Sequence, residues 1–423
     1  MPASLDRLTG LLGIAAILAV AWILSRHKSA IKLRVILWGM GLQFGFAVLV
    51  LKTRAGEVFQ AASRGVTAML GYSQAGSMFV FGDILGAQAN SGKLRDLVDP
   101  SKTMGATIFA FQVLPIIIFI ASFFAILYYL GIMQWVVKLF AIGMQKIMGA
   151  SGAESLNVAA SIFMGQTEAP LTIRPFLDGL TESELFTIMV SGMAHVSGAV
   201  MAAYVLFAHV KIEHLLTAVI MTAPATIMLA KIFEPEVGNP VTAGRVDVKL
   251  EKTAVNIIDA AAQGAGDGLH LCLNIGAMLI AFLALIAMVN GMFGWAHGLM
   301  GWFPASMQDL FGIVFSPVAW LLGVSFNDCA SIGRLLGERL VTNEFIAFID
   351  LGTIKDLISP KSFTIATFAL CGFANFSSIA IQVGGIGALA PSRKSDLARL
   401  GMRAVAAGTM ANFMSACIAG MLV

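Results

Sequence analysis

Two glutamates lie in apolar stretches of the sequence, each beside amide or hydroxyl side chains. Glu168 follows Gln166 and Thr167, and Glu344 follows Asn343. A charged carboxylate in the middle of a bilayer costs at least about 2.5–3.5 kcal/mol, so it has to face protein or water and hold a partner or a proton. These two short segments therefore predict polar positions that a ligand or an ion occupies.

Each acid also has a purely structural explanation, which is an ion pair with a nearby cation such as Arg174 or Arg339. The recurrence of the pattern argues against that explanation. Further along the chain from each glutamate, a similar phrase follows: Gly-Met-Ala-His-Val-Ser at 192–197 and Gly-Phe-Ala-Asn-Phe-Ser at 372–377. An incidental ion pair would not recur in matching surroundings, so we interpret the two regions as copies of one unit.

Further polar side chains interrupt the apolar sequence of these repeated segments. They are Gln166, Thr167, Asn375, Ser377 and Ser378. Such side chains either satisfy backbone groups that an unwound helix leaves free or bind a ligand. Together with two acids they favour a polar but uncharged ligand, because two carboxylates repel an anion. Val200 and Phe373 would either pack in the bundle or cover an aromatic or sugar face.

His195 occupies in the first copy the position that Asn375 has in the second. A histidine in a membrane span is often a hydrogen-bonded packing residue. At a helix break it can also accept a coupling proton, because imidazole titrates near neutral pH. Both roles are compatible with the sequence.

The composition indicates that this chain lies in a membrane. Of its 423 residues, 58% are hydrophobic and only 12% are charged, against roughly 25% charged in soluble proteins. Apolar runs of about 20 residues predict membrane-spanning helices rather than a barrel. The net charge of +3, without a basic tract, argues against nucleic-acid binding. Four isolated cysteines predict small buried side chains rather than disulfides or metal ligands.

The N-terminal part predicts two spans, at residues 8–24 and 35–51, joined by a loop dense in cations. The positive-inside rule places that loop in the cytoplasm and the N-terminus outside. Without a convincing cleavage site, we interpret the first run as an uncleaved helix. Shorter, glycine-broken pieces follow, such as residues 58–70, and predict helices lying at the membrane interface.

The remaining chain repeats one order of elements, which divides it into four segments. We assign residues 1–103 to the N-terminal part, 104–234 to the first repeat, 235–267 to an exposed linker that ends in an interfacial helix, and 268–423 to the second repeat. Each repeat begins with a long span, followed by an amphipathic or interfacial piece, two short arms around a polar tip, a glycine-interrupted span and a final span. The tips predict re-entrant hairpins, and the interrupted spans predict helices unwound at mid-depth. Such symmetry is typical of secondary transporters with inverted repeats.

The predicted bounds of these pieces come from their hydropathy. The long spans are 104–130 and 269–292, and the interrupted spans are 185–210 and 362–392. The amphipathic and interfacial pieces are 133–148 and 311–324, and the final spans are 215–230 and 405–423.

At these residues the chain resembles the concentrative nucleoside transporter family. The resemblance rests on Gly-Gln-Thr-Glu-Ala-Pro at 165–170, Asn-Glu-Phe at 343–345 and Cys-Gly-Phe-Ala-Asn-Phe-Ser-Ser-Ile at 371–379, with Gly-Gly at 384–385. It implies an all-α polytopic membrane protein with about eight transmembrane helices, two re-entrant hairpins and interfacial helices. It also implies a homotrimer and an elevator motion that carries nucleoside across the membrane.

The resemblance also implies roles for individual residues. The nucleobase would be bound by Gln166, Thr167, Glu168, Val200 and Phe373. The ribose hydroxyls would be held by Glu344, Asn375 and Ser378. A vicinal diol offers two donors to one carboxylate, and hydrogen bonds to a charged acceptor are the strong kind.

The cation site departs from the family pattern. The positions that would hold the coupling cation are Ser161, Met164, His195 and Val196. Sodium-coupled relatives typically have Asn at the first of these positions and Ser or Thr at the third. Sodium prefers oxygen ligands, and an imidazole nitrogen is a poor substitute. The departure favours a proton, carried by His195 or a hairpin glutamate, over a sodium ion held by Ser161 and backbone carbonyls.

The sequence therefore predicts a bacterial inner-membrane symporter for nucleosides such as uridine, driven by H⁺ or Na⁺ and needing no other cofactor. Two alternatives are an elevator-type carrier of another neutral polar solute and a membrane-embedded enzyme that uses Glu168, Glu344 and His195. The chain contains no His-Glu-x-x-His motif and no nucleophile elbow, which argues against the enzyme.

Overall fold

The computed structural model describes residues 3–53, 65, 68, 71–82, 109–112, 114–244 and 254–423. Every regular element in these ranges is a helix, so the predicted all-α class is confirmed. The interfacial helix predicted at residues 58–70 lies outside the described residues, apart from positions 65 and 68. The four cysteines are all buried and free.

The first half of the chain contains eight labelled helices, together with a helical stretch at 71–82 and one turn at Phe109–Gln112. They are α1 (Ala3–Ile23), α2 (Leu33–Lys52), α3 (Leu114–Tyr129), α4 (Ile132–Met148), α5 (Gly152–Ser161), α6 (Glu182–Ala194), α7 (Gly198–Phe207) and α8 (Ile212–Phe233). A 3₁₀ segment, Ala169–Gly179, lies between α5 and α6.

The second half repeats the order of the elements from α3 to α8. Its helices are α9 (Ile257–Leu299), α10 (Met307–Leu321), α11 (Cys329–Val341), α12 (Glu344–Thr353), α13 (Pro360–Leu370), α14 (Phe376–Leu389) and α15 (Lys394–Leu422).

Five of the described helices, the broken Glu182–Phe207 included, are long and apolar enough to cross a bilayer. The count becomes six if Leu114–Tyr129 and Ile132–Met148, which meet at 77°, form one bent span. Apolar helices below that length, such as Met307–Leu321, add to this number only if they also cross. The count of about eight spans stays a prediction.

Two hairpins are built from arms too short to cross the membrane. Hairpin 1, defined as residues 152–179, has α5 of 10 residues as one arm and the 3₁₀ segment as the other. Hairpin 2, defined as residues 329–353, has arms α11 and α12 of 13 and 10 residues. At a rise of about 1.5 Å per residue, none of these arms spans roughly 30 Å of hydrocarbon.

Two spans are broken, and each resumes at a side-chain cap. The first break separates Ala194 from Gly198, and Ser197 caps α7 by accepting from the backbone N–H of Val200 at 3.4 Å. The second break is at residues 371–375, and Asn375 caps α14 in the same way. A capping oxygen satisfies an N–H that the helix start leaves free, which makes an unwound segment stable inside a bundle.

The broken helices lie inside the molecule and the long helix α9 lies outside. The span Glu182–Phe207 is completely buried, whereas only 17% of the apolar window of α9 is buried. Helix α3 packs against both α9 and α7, and therefore connects the outer helix to the interior. The polar residues on the breaks are thus enclosed by protein rather than by lipid.

The helix bounds differ from the predicted ones in three places. The long span predicted from residue 269 is part of a helix, α9, that begins at Ile257 within the predicted helical end of the linker, where Asn256 caps it through the N–H of Asp259. The final helix starts at Lys394 rather than at 405, and the piece predicted at 311–324 is the helix Met307–Leu321. Hydropathy finds only the apolar part of a helix, so polar first turns are missed.

Candidate substrate site

The carboxylate of Glu344 is the most completely bound acid at the hairpin tips. Glu344 is the first residue of α12, directly after the capping residue Asn343, and is 5% exposed. The Tyr204 hydroxyl donates to its Oε1 at 3.0 Å, and the Asn375 amide Nδ2 donates to its Oε2 at 3.1 Å. Two donors from the two broken helices thus fix both carboxylate oxygens of hairpin 2.

Asn375 connects this acid to the start of α14. Its Oδ1 accepts from the backbone N–H of Ser378 at 2.9 Å and from the Ser377 hydroxyl at 2.7 Å. Because the oxygen is used as the helix cap, the amide nitrogen has to point to Glu344. The cap therefore sets the orientation of the side chain that binds the acid.

Gln166 brings hairpin 1 to the same place. Its Nε2 donates to the Ser378 hydroxyl at 3.2 Å, and its Oε1 accepts from Gln382 Nε2 at 3.3 Å. A continuous series of hydrogen bonds runs from Gln166 through Ser378 and Asn375 to Glu344. Side chains predicted for the nucleobase and for the ribose are therefore in direct contact.

Glu168 has a different environment. Its side chain is exposed, and its Oε2 accepts from the backbone N–H of Gly165 at 2.5 Å. Tyr128 of α3 and Asp267 of α9 are near enough to act on it electrostatically. The tip of hairpin 1 therefore faces helices α3 and α9, and Glu168 is not held by the donors that hold Glu344.

The structural explanation of the two acids, an ion pair with Arg174 or Arg339, is not what the described residues show. Arg174 is exposed, and neither arginine lies within ion-pair distance of a carboxylate in the part of the chain that the structure describes. Arg339 instead donates to the carbonyls of Ala369 and Gly372 at the second break and to the amide oxygen of Asn412 on α15.

The three remaining residues predicted for the base lie on α7, at the second break and at the tip of hairpin 1. Val200 is buried near the start of α7, and Phe373 is partly exposed at the second break. The backbone N–H of Phe373 donates to the carbonyl of His195 at 3.4 Å, so the two breaks touch there. Thr167 packs on Gly385, where an added Cβ would lie 2.7 Å from its Cγ2.

The residues predicted for the cation lie where hairpin 1 meets the first break. The backbone N–H of Gly198 donates to the Phe163 carbonyl at 3.1 Å, which places Met164 beside that break. The Ser161 hydroxyl donates to the Asn157 carbonyl at 2.9 Å, and Val196 is buried. Among the described residues, no cluster of three or more His, Cys, Asp or Glu side chains could hold a metal ion.

His195 is buried at the end of α6. Its Nδ1 lies 2.9 Å from the Ser191 carbonyl, so this nitrogen carries the hydrogen and Nε2 is the acceptor of the neutral ring. Nε2 has no hydrogen-bond partner of normal geometry among the described residues. The neutral imidazole therefore presents the lone pair of Nε2 beside the first break.

Two residues of the site were missed from the sequence, Tyr204 and Gln382. Tyr204 follows Val200 by four residues and Gln382 follows Ser378 by four, so each lies one helical turn further on the same face. Gln382 is fully buried and its Nε2 also donates to the Met189 carbonyl at 3.1 Å. Turn-to-turn spacing from a predicted site residue was the signal that could have found both.

Aromatic packing holds Tyr204 in place. Its ring stacks on Phe348 of α12 with centroids 4.1 Å apart, and contacts Phe345 edge to face at 5.7 Å. The phenol is thereby fixed against hairpin 2, with its hydroxyl at the carboxylate of Glu344.

A helical membrane protein with two short-armed hairpins, two broken spans and an enclosed polar site is a secondary transporter in architecture. Family profiles match most of the chain. Residues 12–84 and 214–420 match the N-terminal and C-terminal parts of the Na⁺ dependent nucleoside transporter family, and residues 110–211 match a nucleoside recognition domain called Gate.

Known proteins match nearly the whole chain. An uncharacterized transporter of Bacillus subtilis, YutK, is 46% identical over 98% of this chain and 99% of its own length. Solute carrier family 28 member 3 of Mus musculus is 39% identical over 97% of this chain, which spans 58% of that longer protein. A solved structure of CNTnw in an inward-facing substrate-bound state has a TM-score of 0.90 at 38% identity, covering 99% of this chain and 98% of that one. The chain belongs to the concentrative nucleoside transporter family, whose members are transporters and not enzymes.

Proposed function

We propose that this protein imports nucleosides such as uridine across the bacterial inner membrane by symport with a cation. The observation that carries the proposal is the buried carboxylate of Glu344, held by Tyr204 and Asn375 and joined through Ser378 to Gln166. Membership of the family supports it.

The ribose is the part of the substrate that this geometry fits best. A carboxylate has about four acceptor positions, so Glu344 retains lone pairs for two substrate hydroxyls after binding its two protein donors. A ligand without these hydroxyls would leave the buried acceptors unpaired, which costs about 1–3 kcal/mol for each group. The proposal therefore includes selection of nucleosides over free bases.

The base would lie toward hairpin 1. Gln166, Thr167 and Glu168 offer an amide, a hydroxyl and an acid at its tip, and Val200 and Phe373 offer apolar faces. Glu168 can supply its carboxylate to a base because its hydrogen bond is with the Gly165 N–H of the same turn and not with another helix. Hydrogen bonds to the base edge and stacking on an aromatic ring are the usual means of binding a nucleobase.

An elevator motion fits the division between inner and outer helices. The hairpins and broken helices are mostly buried inside, whereas α9 presents many large apolar side chains on the surface of the single chain. We propose that α3 and α9 form a fixed scaffold and that the hairpins and broken helices move relative to it. The apolar surface of α9 lies against lipid and against other copies of the chain in a homotrimer. CNTnw and variants of it, which share this fold, have been solved in inward-facing, outward-facing and intermediate states.

For the coupling ion, we propose a proton rather than sodium. Four oxygen ligands cannot be assembled from Ser161, the backbone at 164 and 196, and an imidazole, because His195 supplies nitrogen where sodium prefers oxygen. The Nε2 of His195, which has no hydrogen-bond partner of normal geometry in the part of the chain that the structure describes, is an acceptor that a proton can occupy. Sodium bound through Ser161 and backbone carbonyls is the competing arrangement.

The test is uptake of radiolabelled uridine into vesicles with sodium and proton gradients imposed separately. Saturable uptake that uridine and adenosine inhibit, but uracil and ribose do not, is the result expected of a nucleoside transporter. Stimulation by an inward proton gradient alone supports the proton, and stimulation by sodium at constant pH shows the competing arrangement. Uptake that free ribose or uracil inhibits as well as uridine would contradict the substrate class.

A further inference from the structure

A guanidinium is buried between hairpin 2 and the second helix break. Arg339, on α11, is 1% exposed and uses three donors. Its Nε donates to the Gly372 carbonyl at 3.2 Å, its Nη1 to the Ala369 carbonyl and its Nη2 to the Asn412 Oδ1. A charge in such a place has to be fully hydrogen-bonded to be tolerated.

Asn412, on the final helix α15, extends this contact to the first break. It is fully buried, and its Nδ2 donates to the Ala194 carbonyl at 2.7 Å and to the Cys371 carbonyl at 2.9 Å. Arg339 and Asn412 therefore satisfy carbonyls at the ends of both α6 and α13, which the breaks leave without helical partners. The backbone carbonyls of the first break and those of the second break are joined here by one side chain of hairpin 2 and one of α15.

The packing around this pair leaves no space for adjustment. A Cβ added at Gly372 would lie 2.8 Å from the Ala194 carbonyl oxygen, and one added at Gly408, one turn before Asn412, would lie 2.7 Å from the Met193 Cβ. Real Cβ atoms do not approach so closely, so the backbones of the two breaks and α15 meet only because these residues are glycines.

The pair is also connected to the substrate site. Arg339 precedes Glu344 by five residues on hairpin 2, and its charge acts on that carboxylate without forming an ion pair. Arg339 binds the carbonyl of Gly372, which lies three residues before Asn375. Asn375 is the residue whose amide donates to Glu344. Moving the second break relative to hairpin 2 would separate Asn375 from Glu344.

We propose that Arg339 and Asn412 are positioning residues that determine selectivity for the ribose hydroxyls. They fix the ends of α6 and α13 against hairpin 2, so that Tyr204 and Asn375 reach the same carboxylate. The proposal rests on the proposed function, because it concerns how the ribose-binding acid of that site is held.

The test compares uridine with 2′,3′-dideoxyuridine, which lacks the hydroxyls that Glu344 would bind. Vmax/KM for both is measured in Arg339→Lys, which removes the planar fork of donors, and in Asn412→Asp, which removes the Nδ2 donors. In each variant, the ratio of uridine to dideoxyuridine is expected to fall at least about fivefold, through a higher KM for uridine, as for the loss of one hydrogen bond. This ratio does not depend on how much folded protein reaches the membrane.

Ser415→Ala is the matched control, because Ser415 is buried on the same helix and its hydroxyl contacts Thr222 rather than a break. Its ratio is expected to equal that of the wild type. Equal losses for both substrates in Arg339→Lys and Asn412→Asp, with the ratio unchanged, would show a merely structural role and overturn the proposal. If either variant transports too little, equilibrium binding of both nucleosides to purified protein gives the same ratio.

Transport by the wild type distinguishes failure of this proposal from failure of the proposed function. Failure of the wild type to transport uridine would overturn the proposed function, whatever the variants do. A wild type that transports uridine and prefers it to dideoxyuridine, combined with unchanged ratios in both variants, would overturn only the positioning role.

Discussion

The two hairpins carry similar acids in different surroundings. In hairpin 2, both oxygens of Glu344 are bound by side chains of the broken helices, and the residue is almost completely buried. In hairpin 1, Glu168 is exposed, and its carboxylate accepts from the N–H of Gly165 three residues earlier. One acid is held by the tertiary structure and the other by its own turn.

The difference follows from the local sequence of each tip. Glu344 begins a regular helix behind the cap Asn343, which directs its side chain into the bundle. Glu168 precedes a 3₁₀ segment with Pro170 near its start, where no regular helix fixes the side chain. Preorganised groups discriminate strongly, whereas mobile groups adapt to different partners. We therefore expect strict recognition of the ribose and more tolerant recognition of the base.

The largest effect is expected for Glu344→Gln. The change replaces a charged acceptor by an amide and removes charge-assisted bonds worth about 1.5–3 kcal/mol each, so uridine uptake should fall about 100-fold or more. Initial rates of uridine uptake in vesicles with matched amounts of protein measure it. Uptake at the wild-type level would remove Glu344 from the site.

A smaller loss is expected for Tyr204→Phe, which deletes only the hydroxyl bound to Glu344 Oε1. The ring can keep its stacking on Phe348, so folding should be preserved. KM for uridine should rise about tenfold, the effect of one hydrogen bond to a charged group. An unchanged KM would mean that Glu344 does not need this donor and would weaken the contrast between the hairpins.

Glu168→Gln should have a still smaller and base-dependent effect. We expect KM to change about threefold to fivefold, with different values for uridine and adenosine, because an acid held only by its own turn contributes about one ordinary hydrogen bond. Parallel uptake of both nucleosides measures it. A loss as complete as that of Glu344→Gln, equal for both bases, would show that the two acids are equivalent.

The smallest effect on substrate affinity is expected for His195→Ser, which alters the cation instead. A hydroxyl at this position would supply the oxygen ligand that sodium prefers, so a sodium gradient should drive more uptake than in the wild type. Uridine uptake at fixed pH with and without sodium measures it. A cation profile identical to that of the wild type would contradict the role given to His195.

The sequence was sufficient to predict the short-armed segments with polar tips and the helix breaks, and the family resemblance placed Glu344 and Asn375 in one site. These features leave local signals, since polar or glycine residues within apolar runs are costly unless they have a function. Tyr204 and Gln382 left only a weak signal, their spacing of one helical turn from Val200 and Ser378, because a tyrosine or a single glutamine in a buried helix is usually a packing residue. Their role depends on which helices meet, and only the folded structure shows that.

Arg339 illustrates the same limit of sequence reasoning. From the sequence it was a candidate ion-pair partner for an acid, because its charge was the only visible property. In the structure its donors go to backbone carbonyls at the second break and to Asn412, a residue 73 positions further along the chain. Carbonyls freed by unwinding are invisible in a sequence, so their partners cannot be assigned from it.

Displacement of bound radiolabelled uridine from the purified protein tests the central claim most directly, which is that hairpin 2 recognises the substrate through its ribose. Unlabelled uridine should compete fully, and uracil, which lacks the sugar, should compete about 100-fold more weakly or not at all. Displacement by uracil at the same concentrations as uridine would contradict the account.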